Sequence, residues 1–243
     1  MCRLLGYVAQ EERSIPQFVG PSFNEFLKLS EVHRDGWGIA RNDGRATTLM
    51  KAAETANSSS NFATAIEDKS KSALLHFRWA TPGLGIEESN SHPFSQDDIS
   101  FIHNGSIKPY DALLGHIPAD LLRLRTGTTD SELFFLFTLS KIKSLGVIEG
   151  VRESIAEIKS QFKYSSLNAM VLAPNYLIVV CENNPENRPD WATDEYYQLR
   201  YRRDENGIVV ASSGWDQSEW EAIPNHSIAV FSRKDFSLSL FEC

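Results

Sequence analysis

Two long helical segments in a row, with strand-like segments on both sides, constrain the fold of this chain more than any other feature. The first is apolar on nearly all faces over residues 133–142, and the second spans roughly residues 147–162. Strands grouped around a block of helices are typical of α+β layering with antiparallel sheets rather than an alternating doubly wound fold. The strand-like runs are residues 1–9, 74–82, 101–107, 167–172, 176–181, 196–201, 208–211, 227–231 and 236–241. Since no low-complexity linker interrupts this order, we expect one domain over residues 2–243.

Composition and charge narrow the classes of function. The net charge is −8 and the longest basic cluster is Arg200, Arg202 and Arg203, so we expect no nucleic-acid partner. The three cysteines lie far apart without metal-ligand spacing, which indicates a reducing compartment and no disulfide framework. We therefore expect no metal and no other cofactor. No stretch has the length of a membrane span and no secretion signal opens the chain, which predicts a soluble cytoplasmic protein without a membrane partner.

Cys2 stands at the entrance of the first strand-like segment, directly after Met1. We expect Met1 to be removed because the second residue is small, and Cys2 would then carry a thiol and a free α-amino group. The pKa of such an amine is about 7.7–8.0, so part of it is unprotonated near neutral pH and can act as a base for its own thiol. For an isolated cysteine, however, a small buried strand residue is the simpler interpretation.

Residues 74–107 place polar side chains where plain core strands would not carry them. The first apolar run delivers Arg78 and Thr81 at its exit, and the second leads into Asn104 and Gly105. An Asn-Gly pair between apolar runs is usually a tight hairpin turn. The alternative is an oxyanion hole, in which the Asn104 amide and the Gly105 backbone N–H point at one developing negative charge. This alternative becomes strong only when Cys2 is considered with it.

Two further local patterns have both a structural and a functional interpretation. Thr129 is expected to cap the first long helix, with Glu132 completing a capping box. Asp130 in its first turn either complements the helix dipole, which is the simpler interpretation, or binds a cationic group. Gly36 and Gly38 imply a close backbone approach, either for packing or beside a site.

Six motifs occur in one order along the chain. They are Cys2, Asp35-Gly36-Trp37-Gly38, His76-x-Arg78-Trp79-Ala80-Thr81, Asn90-x-His92-Pro93, His103-Asn104-Gly105 and Thr129-Asp130-Ser131-Glu132. Each motif is weak alone, but six in order are specific, and they cover roughly residues 2–145. With them the chain resembles the glutaminase domain of class II glutamine amidotransferases, which are N-terminal-nucleophile hydrolases, and most of all their short stand-alone branch.

The resemblance implies a four-layer α-β-β-α sandwich of two antiparallel sheets and a catalytic set. Cys2 would be the nucleophile with its own α-amine as base, and Asn104 with Gly105 would form the oxyanion hole. The implied reaction is hydrolysis of the γ-amide of glutamine, or of a γ-glutamyl compound, through a Cys2 thioester. Glutamate and ammonia or an amine would be released.

The resemblance also implies a substrate-binding set. Arg78 would hold the substrate α-carboxylate with its bidentate guanidinium, and Asp130 would pair with the α-ammonium. Trp79 and Thr81 would shape the pocket. Synthase-type members usually carry a histidine where this chain has Pro82, so no histidine role is expected there.

No room is expected for a synthase domain after the sandwich, so ammonia would pass to a separate acceptor enzyme or to solvent. As an alternative, some small members of the branch are similar to γ-glutamyl hydrolases of thiol metabolites of the glutathione or ergothioneine type. The sequence leaves open whether the chain forms a homo-oligomer.

Two rival classes remain. A metal hydrolase could use His76, His92 and His103, but no pair has helical ligand spacing, and satisfied structural histidines are the preferred interpretation. A non-catalytic interaction subunit would keep the fold and lose part of the site. The intact set of nucleophile, arginine, asparagine and aspartate argues against it.

Overall fold

The computed structural model describes residues 2–43, 47–81, 83–193 and 195–243. Its first sheet has seven strands, in spatial order β11 (Glu221–Ala222), β9 (Leu199–Asp204), β10 (Gly207–Ser212), β1 (Arg3–Arg13), β4 (Ser70–Arg78), β2 (Gly36–Asn42) and β3 (Thr47–Ala52). Its second sheet has six strands, in the order β13 (Leu238–Glu242), β12 (Ser227–Ser232), β8 (Tyr176–Cys181), β7 (Lys163–Leu172), β6 (Ile99–Lys108) and β5 (Phe94–Gln96). Adjacent strands in both sheets pair antiparallel.

Six α-helices accompany the sheets in the described residues. They are α1 (Ile15–Val19), α2 (Phe23–Lys28), α3 (Ser60–Ala65), α4 (Ala119–Leu122), α5 (Asp130–Leu145) and α6 (Val147–Gln161). The two long consecutive helices are α5 and α6, as the sequence predicts. On α6, Val151, Ile155 and Ile158 are all buried against the second sheet, which is the face that the 3.6-residue periodicity indicates.

Three apolar clusters lie between four layers of secondary structure, two of them sheets and two of them helices. Alternate residues of β1, including Leu4 and Val8, face the second sheet and pack with residues such as Ile102 and Met170 between the sheets. The other side of the first sheet is covered by α1, α2 and α3, and the other side of the second sheet by α5 and α6. Because each strand exposes side chains alternately to its two faces, both sheets bury apolar residues on both sides. The predicted α-β-β-α sandwich of antiparallel sheets is confirmed.

Some element boundaries differ from the sequence prediction. The strand expected at residues 196–201 begins only at Leu199, because residues 195–198 form a turn closed by Gln198 N–H to the Glu195 carbonyl. The helix α1 and the edge strand β3 have no counterpart in the prediction.

The capping box at α5 is only half correct. Thr129 accepts a hydrogen bond from the Glu132 backbone N–H at 3.2 Å, as an N-cap should. The Glu132 carboxylate instead accepts from the backbone N–H groups of Thr126 and Gly127, at 2.8 and 2.7 Å. Glu132 therefore fixes the loop before the helix rather than the cap itself.

Candidate active site

Cys2 lies one residue before β1, the middle strand of the seven-stranded sheet. Its side chain is buried, and its Sγ lies 4.0 Å from the carbonyl oxygen of Trp79, which directly follows β4. The pairing of Arg3 with Phe77 between β1 and β4 brings the two strand ends together. The thiol thus sits at the end of the middle strand, beside the segment that follows β4.

Asn104 and Gly105 lie inside β6 and not in a hairpin turn, so the turn interpretation is wrong. Their partners on β7 are Asn168 and Leu167. A Cβ on Gly105 would collide with the Ser166 carbonyl oxygen, so the backbone approaches β7 too closely for any other residue. The Asn-Gly signal here reports a close backbone approach within a strand.

The Cys2 backbone nitrogen donates a hydrogen bond of 2.7 Å to Asn104 Oδ1. This contact joins the two sheets at the candidate nucleophile. Because the amide oxygen is used by Cys2, the Asn104 side chain presents its NH₂ group as the remaining donor. A free α-amine at this nitrogen could keep that hydrogen bond and still hold a lone pair.

Arg78 ends β4 with its guanidinium buried in the same cavity as Cys2. Its Nη2 donates to the Gly85 carbonyl at 2.9 Å, whereas its Nη1 is buried without a hydrogen-bond partner among the described residues. Burial lowers the pKa of this group from its usual value, and the neighbouring Cys2 and Asp35 oppose the shift. A buried cation with an unused donor is suited to an anionic ligand.

Asp130 is the first residue of α5 and is 5% exposed. One carboxylate oxygen accepts from the Ile107 backbone N–H at 2.7 Å, so the side chain turns toward β6. Burial raises the pKa of Asp130 to about 6, against the hydrogen bonds from backbone N–H groups that lower it. Asp130 lines the same cavity as Arg78, so the cavity carries one buried cation and one carboxylate.

Trp79 and Thr81 also line this cavity. It is therefore lined by every residue with an expected catalytic or substrate-binding role except Asn104, which is hydrogen-bonded to Cys2. Trp79 is 36% exposed and its ring contacts Trp191 at a centroid distance of 5.2 Å. Pro82 and Met1 lie outside the described residues.

Gly36 and Gly38 do not line the cavity, so the packing interpretation is correct. A Cβ on Gly38 would collide with the His92 carbonyl oxygen, and one on Gly36 would lie 2.6 Å from Ser91 Oγ. These two glycines let the segment that carries Asn90 and His92 lie directly on β2. Asn90 in turn accepts from the Thr128 backbone N–H at 2.7 Å and so fixes the loop before α5.

Several residues to which the sequence assigns no catalytic or substrate-binding role also lie at the site. Arg3 is 5% exposed, its Nη1 donates to the carbonyl oxygens of Cys2 and Tyr196 at 3.4 and 3.2 Å, and its guanidinium lies 4.0 Å from the Tyr196 ring centroid. A second buried cation therefore lies beside the candidate nucleophile. Asn90, His92 and Ser131 also line the cavity.

Three buried histidines lie at the cavity, which His92 and His103 line and His76 does not. His103 is fully hydrogen-bonded, His76 uses only Nε2, and both ring nitrogens of His92 lack a partner among the described residues. The expectation that all three are satisfied is therefore wrong for His92 and half right for His76. Across the described parts of the chain, no three or more His, Cys, Asp or Glu side chains cluster in a way that could hold a metal ion.

Burial of neutral histidines predicts acid lability. Burial lowers the pKa to about 3 for His33 and His76 and to about 4 for His103, and lowers that of His92 well below 6.5. In the unfolded chain these histidines have pKa values near 6.5. As the pH falls, the unfolded chain therefore binds protons before the folded chain does, and the free energy of unfolding decreases as the pH drops through 6.5. Asp130 has the opposite effect between about pH 4 and 6, because its raised pKa makes the folded chain bind a proton before the unfolded chain does. It offsets the destabilisation caused by about one histidine.

From pH 8 to pH 6 the free energy of unfolding should therefore decrease by about 3 kcal/mol. Denaturant unfolding at the two pH values measures it. Equal stability at pH 8 and pH 6 would contradict the neutral, buried state of these four histidines.

The arrangement can support nucleophilic acyl transfer. A thiol, a nitrogen that could act as base and an amide donor meet at Cys2, while a cation and a carboxylate stand apart in the same cavity.

The described helices include none with both the length and the apolar character that crossing a membrane requires.

The sequence model of the family described as class-II glutamine amidotransferases matches residues 1–239 of the chain. The probable glutamine amidotransferase DUG3 of Saccharomyces cerevisiae is 26% identical over 302 residues, covering 98% of this chain and 84% of that protein. A glutamine–fructose-6-phosphate aminotransferase of Acinetobacter baylyi is 28% identical over 197 residues, covering 76% of this chain but 29% of that protein.

A solved structure with the same fold is that of a glutamine aminotransferase class-II domain protein from Silicibacter pomeroyi. It superposes with a TM-score of 0.69 at 18% identity and covers 99% of both chains. At this identity the likeness shows the shared fold.

Proposed function

Since the chain belongs to the class II glutamine amidotransferases, enzymes that use an N-terminal cysteine, we propose that it hydrolyses the γ-amide of glutamine or of a γ-glutamyl compound through a thioester on Cys2. The observation that carries this proposal is the 2.7 Å hydrogen bond from the Cys2 nitrogen to Asn104 Oδ1. It places thiol, nitrogen and amide donor within one small volume. The proposal requires removal of Met1, because an acylated nitrogen has no lone pair to act as base.

The reaction begins with transfer of the Cys2 thiol proton to the α-amine of the same residue. The thiolate attacks the γ-carbonyl carbon, and the carbonyl oxygen becomes an oxyanion that the Asn104 NH₂ and the Gly105 N–H stabilise. Collapse of this intermediate breaks the C–N bond, and the leaving amine takes the proton from the α-ammonium. A water molecule, deprotonated by the same amine, then hydrolyses the thioester and releases glutamate.

Substrate recognition uses the two opposite charges in the cavity. The unused Nη1 of Arg78 donates to the α-carboxylate, and Asp130 accepts from the α-ammonium. Above about pH 6 Asp130 is ionised, and an arriving ammonium further favours that form. Trp79 and Thr81 shape the wall between the two charges. These two charges complement those of the γ-glutamyl head group, whatever amine lies beyond the carbonyl.

The wider setting of the enzyme is part of the proposal. The apolar core shared by the two sheets supports one domain over residues 2–243. The three cysteines are unpaired, which supports a reducing, cytoplasmic compartment. Ammonia released from glutamine would pass to a separate acceptor enzyme or to solvent. A γ-glutamyl thiol metabolite is the alternative substrate.

An activity screen tests the proposal. The purified chain is assayed with glutamine, with γ-glutamyl amides of varied leaving amine, including glutathione, and with simple amides that lack the α-amino acid head. Release of glutamate from the first or second group is expected. Equal cleavage of simple amides would overturn the γ-glutamyl assignment, and no cleavage at all would favour a non-catalytic interaction subunit.

A further inference from the structure

The strand that carries Asn104 and Gly105 is held at two points, one on each side of that pair. Before the pair, His103 Nδ1 lies 2.9 Å from Ser131 Oγ in the first turn of α5. After the pair, the Ile107 backbone N–H donates to Asp130 at 2.7 Å. Both bonds reach adjacent residues at the start of one helix. The dipeptide is therefore bracketed by contacts to a single rigid element.

The ring of His103 can satisfy its partners in only one tautomer. Nε2 lies 3.1 Å from the Ser166 carbonyl oxygen, which only accepts, so Nε2 carries the proton. Nδ1 is then unprotonated and accepts from the Ser131 hydroxyl. Burial lowers the pKa of His103 to about 4, which keeps the ring neutral near pH 7.

The first sheet reaches the same residue. His76 on β4 lies with Nε2 at 3.3 Å from the His103 carbonyl oxygen, and that carbonyl belongs to the peptide unit directly before Asn104. His103 on β6 is therefore hydrogen-bonded both to β4, the strand that ends at Arg78, and to α5, the helix that begins at Asp130.

We propose that His103, through Ser131, is a positioning residue that keeps the oxyanion-hole donors aligned with the acidic residue at the start of α5. This inference rests on the proposed function. An oxyanion hole acts through donors held at fixed positions, and a displacement of about 1 Å can cost on the order of 100-fold in rate. Without the Ser131 hydroxyl, β6 keeps its sheet pairing but loses the restraint on one side of Asn104.

Ser131→Ala tests the proposal with Ser154→Ala as matched control. Both serines are buried on long helices. The Ser154 hydroxyl accepts from Thr138 Oγ1 at 3.1 Å, and neither Ser154 nor Thr138 lines the cavity. We expect both variants to lose similar amounts of thermal stability. Only Ser131→Ala should lower kcat, by roughly 10- to 100-fold, with KM within about 2-fold because the head-group contacts remain. Equal kcat values in the two variants, or a change in KM alone, would overturn the proposal.

A spectroscopic readout separates this inference from the proposed function. In ¹⁵N-histidine NMR at pH 7, His103 should be the neutral tautomer protonated at Nε2, and Ser131→Ala should shift its Nδ1 resonance while Ser154→Ala does not. A tautomer protonated at Nδ1, or a charged ring, would overturn the inference. If the wild-type chain shows this tautomer but hydrolyses no γ-glutamyl compound, the proposed function fails and the hydrogen-bonded link stands.

Discussion

Replacement of Cys2 by alanine should abolish hydrolysis, with a loss of at least about 10⁴-fold in kcat, because no thioester can form. The side chain is small and lies at a strand entrance, so its removal leaves the sheet pairing of β1 intact. Circular dichroism and thermal unfolding should therefore match the wild type. Activity is followed as glutamate released per enzyme.

The two other cysteines are the controls for this prediction. Burial raises the pKa of both Cys181 and Cys243 to about 12, so neither carries a useful thiolate fraction near neutral pH. Cys181→Ala and Cys243→Ala should keep kcat within about 2-fold. Cys181 belongs to the core between the sheets, so its replacement should lower stability without lowering turnover. Loss of turnover in Cys181→Ala at full folding would contradict the site assignment.

Removal of either charge in the cavity should have the second largest effect. An unpaired substrate charge in a partly desolvated pocket costs about 2–5 kcal/mol, so Arg78→Ala and Asp130→Asn should each lose roughly 30- to several-thousand-fold in kcat/KM. Asp130→Asn is the sharper test because an amide oxygen can still accept from the Ile107 N–H. The variant thus keeps the structural bond and loses only the charge.

Matched variants separate charge recognition from general damage. Asp120 lies in the first turn of α4 and is exposed, so Asp120→Asn should change kcat/KM by less than about 2-fold. Arg78→Lys should also be impaired, since an ammonium keeps the charge and loses the guanidinium fork. Full activity in Asp130→Asn would show that the α-ammonium is bound elsewhere.

The sequence predicted the layering because its signals are local. Helix α5 is a long apolar segment, α6 has apolar residues at helical spacing, and the hairpin between β7 and β8 has a Pro174-Asn175 turn. Those signals depend on residues close in the chain. The start of β9 was missed because aromatic residues before Leu199 have high strand propensity and are used instead for ring packing, as between Tyr196 and Trp191.

The residue types of the site could be predicted from the sequence, but the contacts that hold those residues in place could not. Cys2 and Asn104 stand out through motif order, yet their 2.7 Å contact spans 102 positions of sequence and follows only from the stacking of two sheets. The Asn-Gly pair was ambiguous because a turn and a close strand approach both require glycine. The sequence assigns no role to Arg3 or Ser131, and only the packing shows that they touch the site.

The proposed nucleophile is Cys2 with a free α-amine. Intact-mass spectrometry of the active chain, before and after reaction with a glutamine-analogue electrophile, tests this assignment. We expect a chain without Met1 and a single adduct on Cys2, slowed by added glutamine, with Cys2→Ala unlabelled. Full activity in a chain that retains Met1, or an adduct on Cys181, would contradict it.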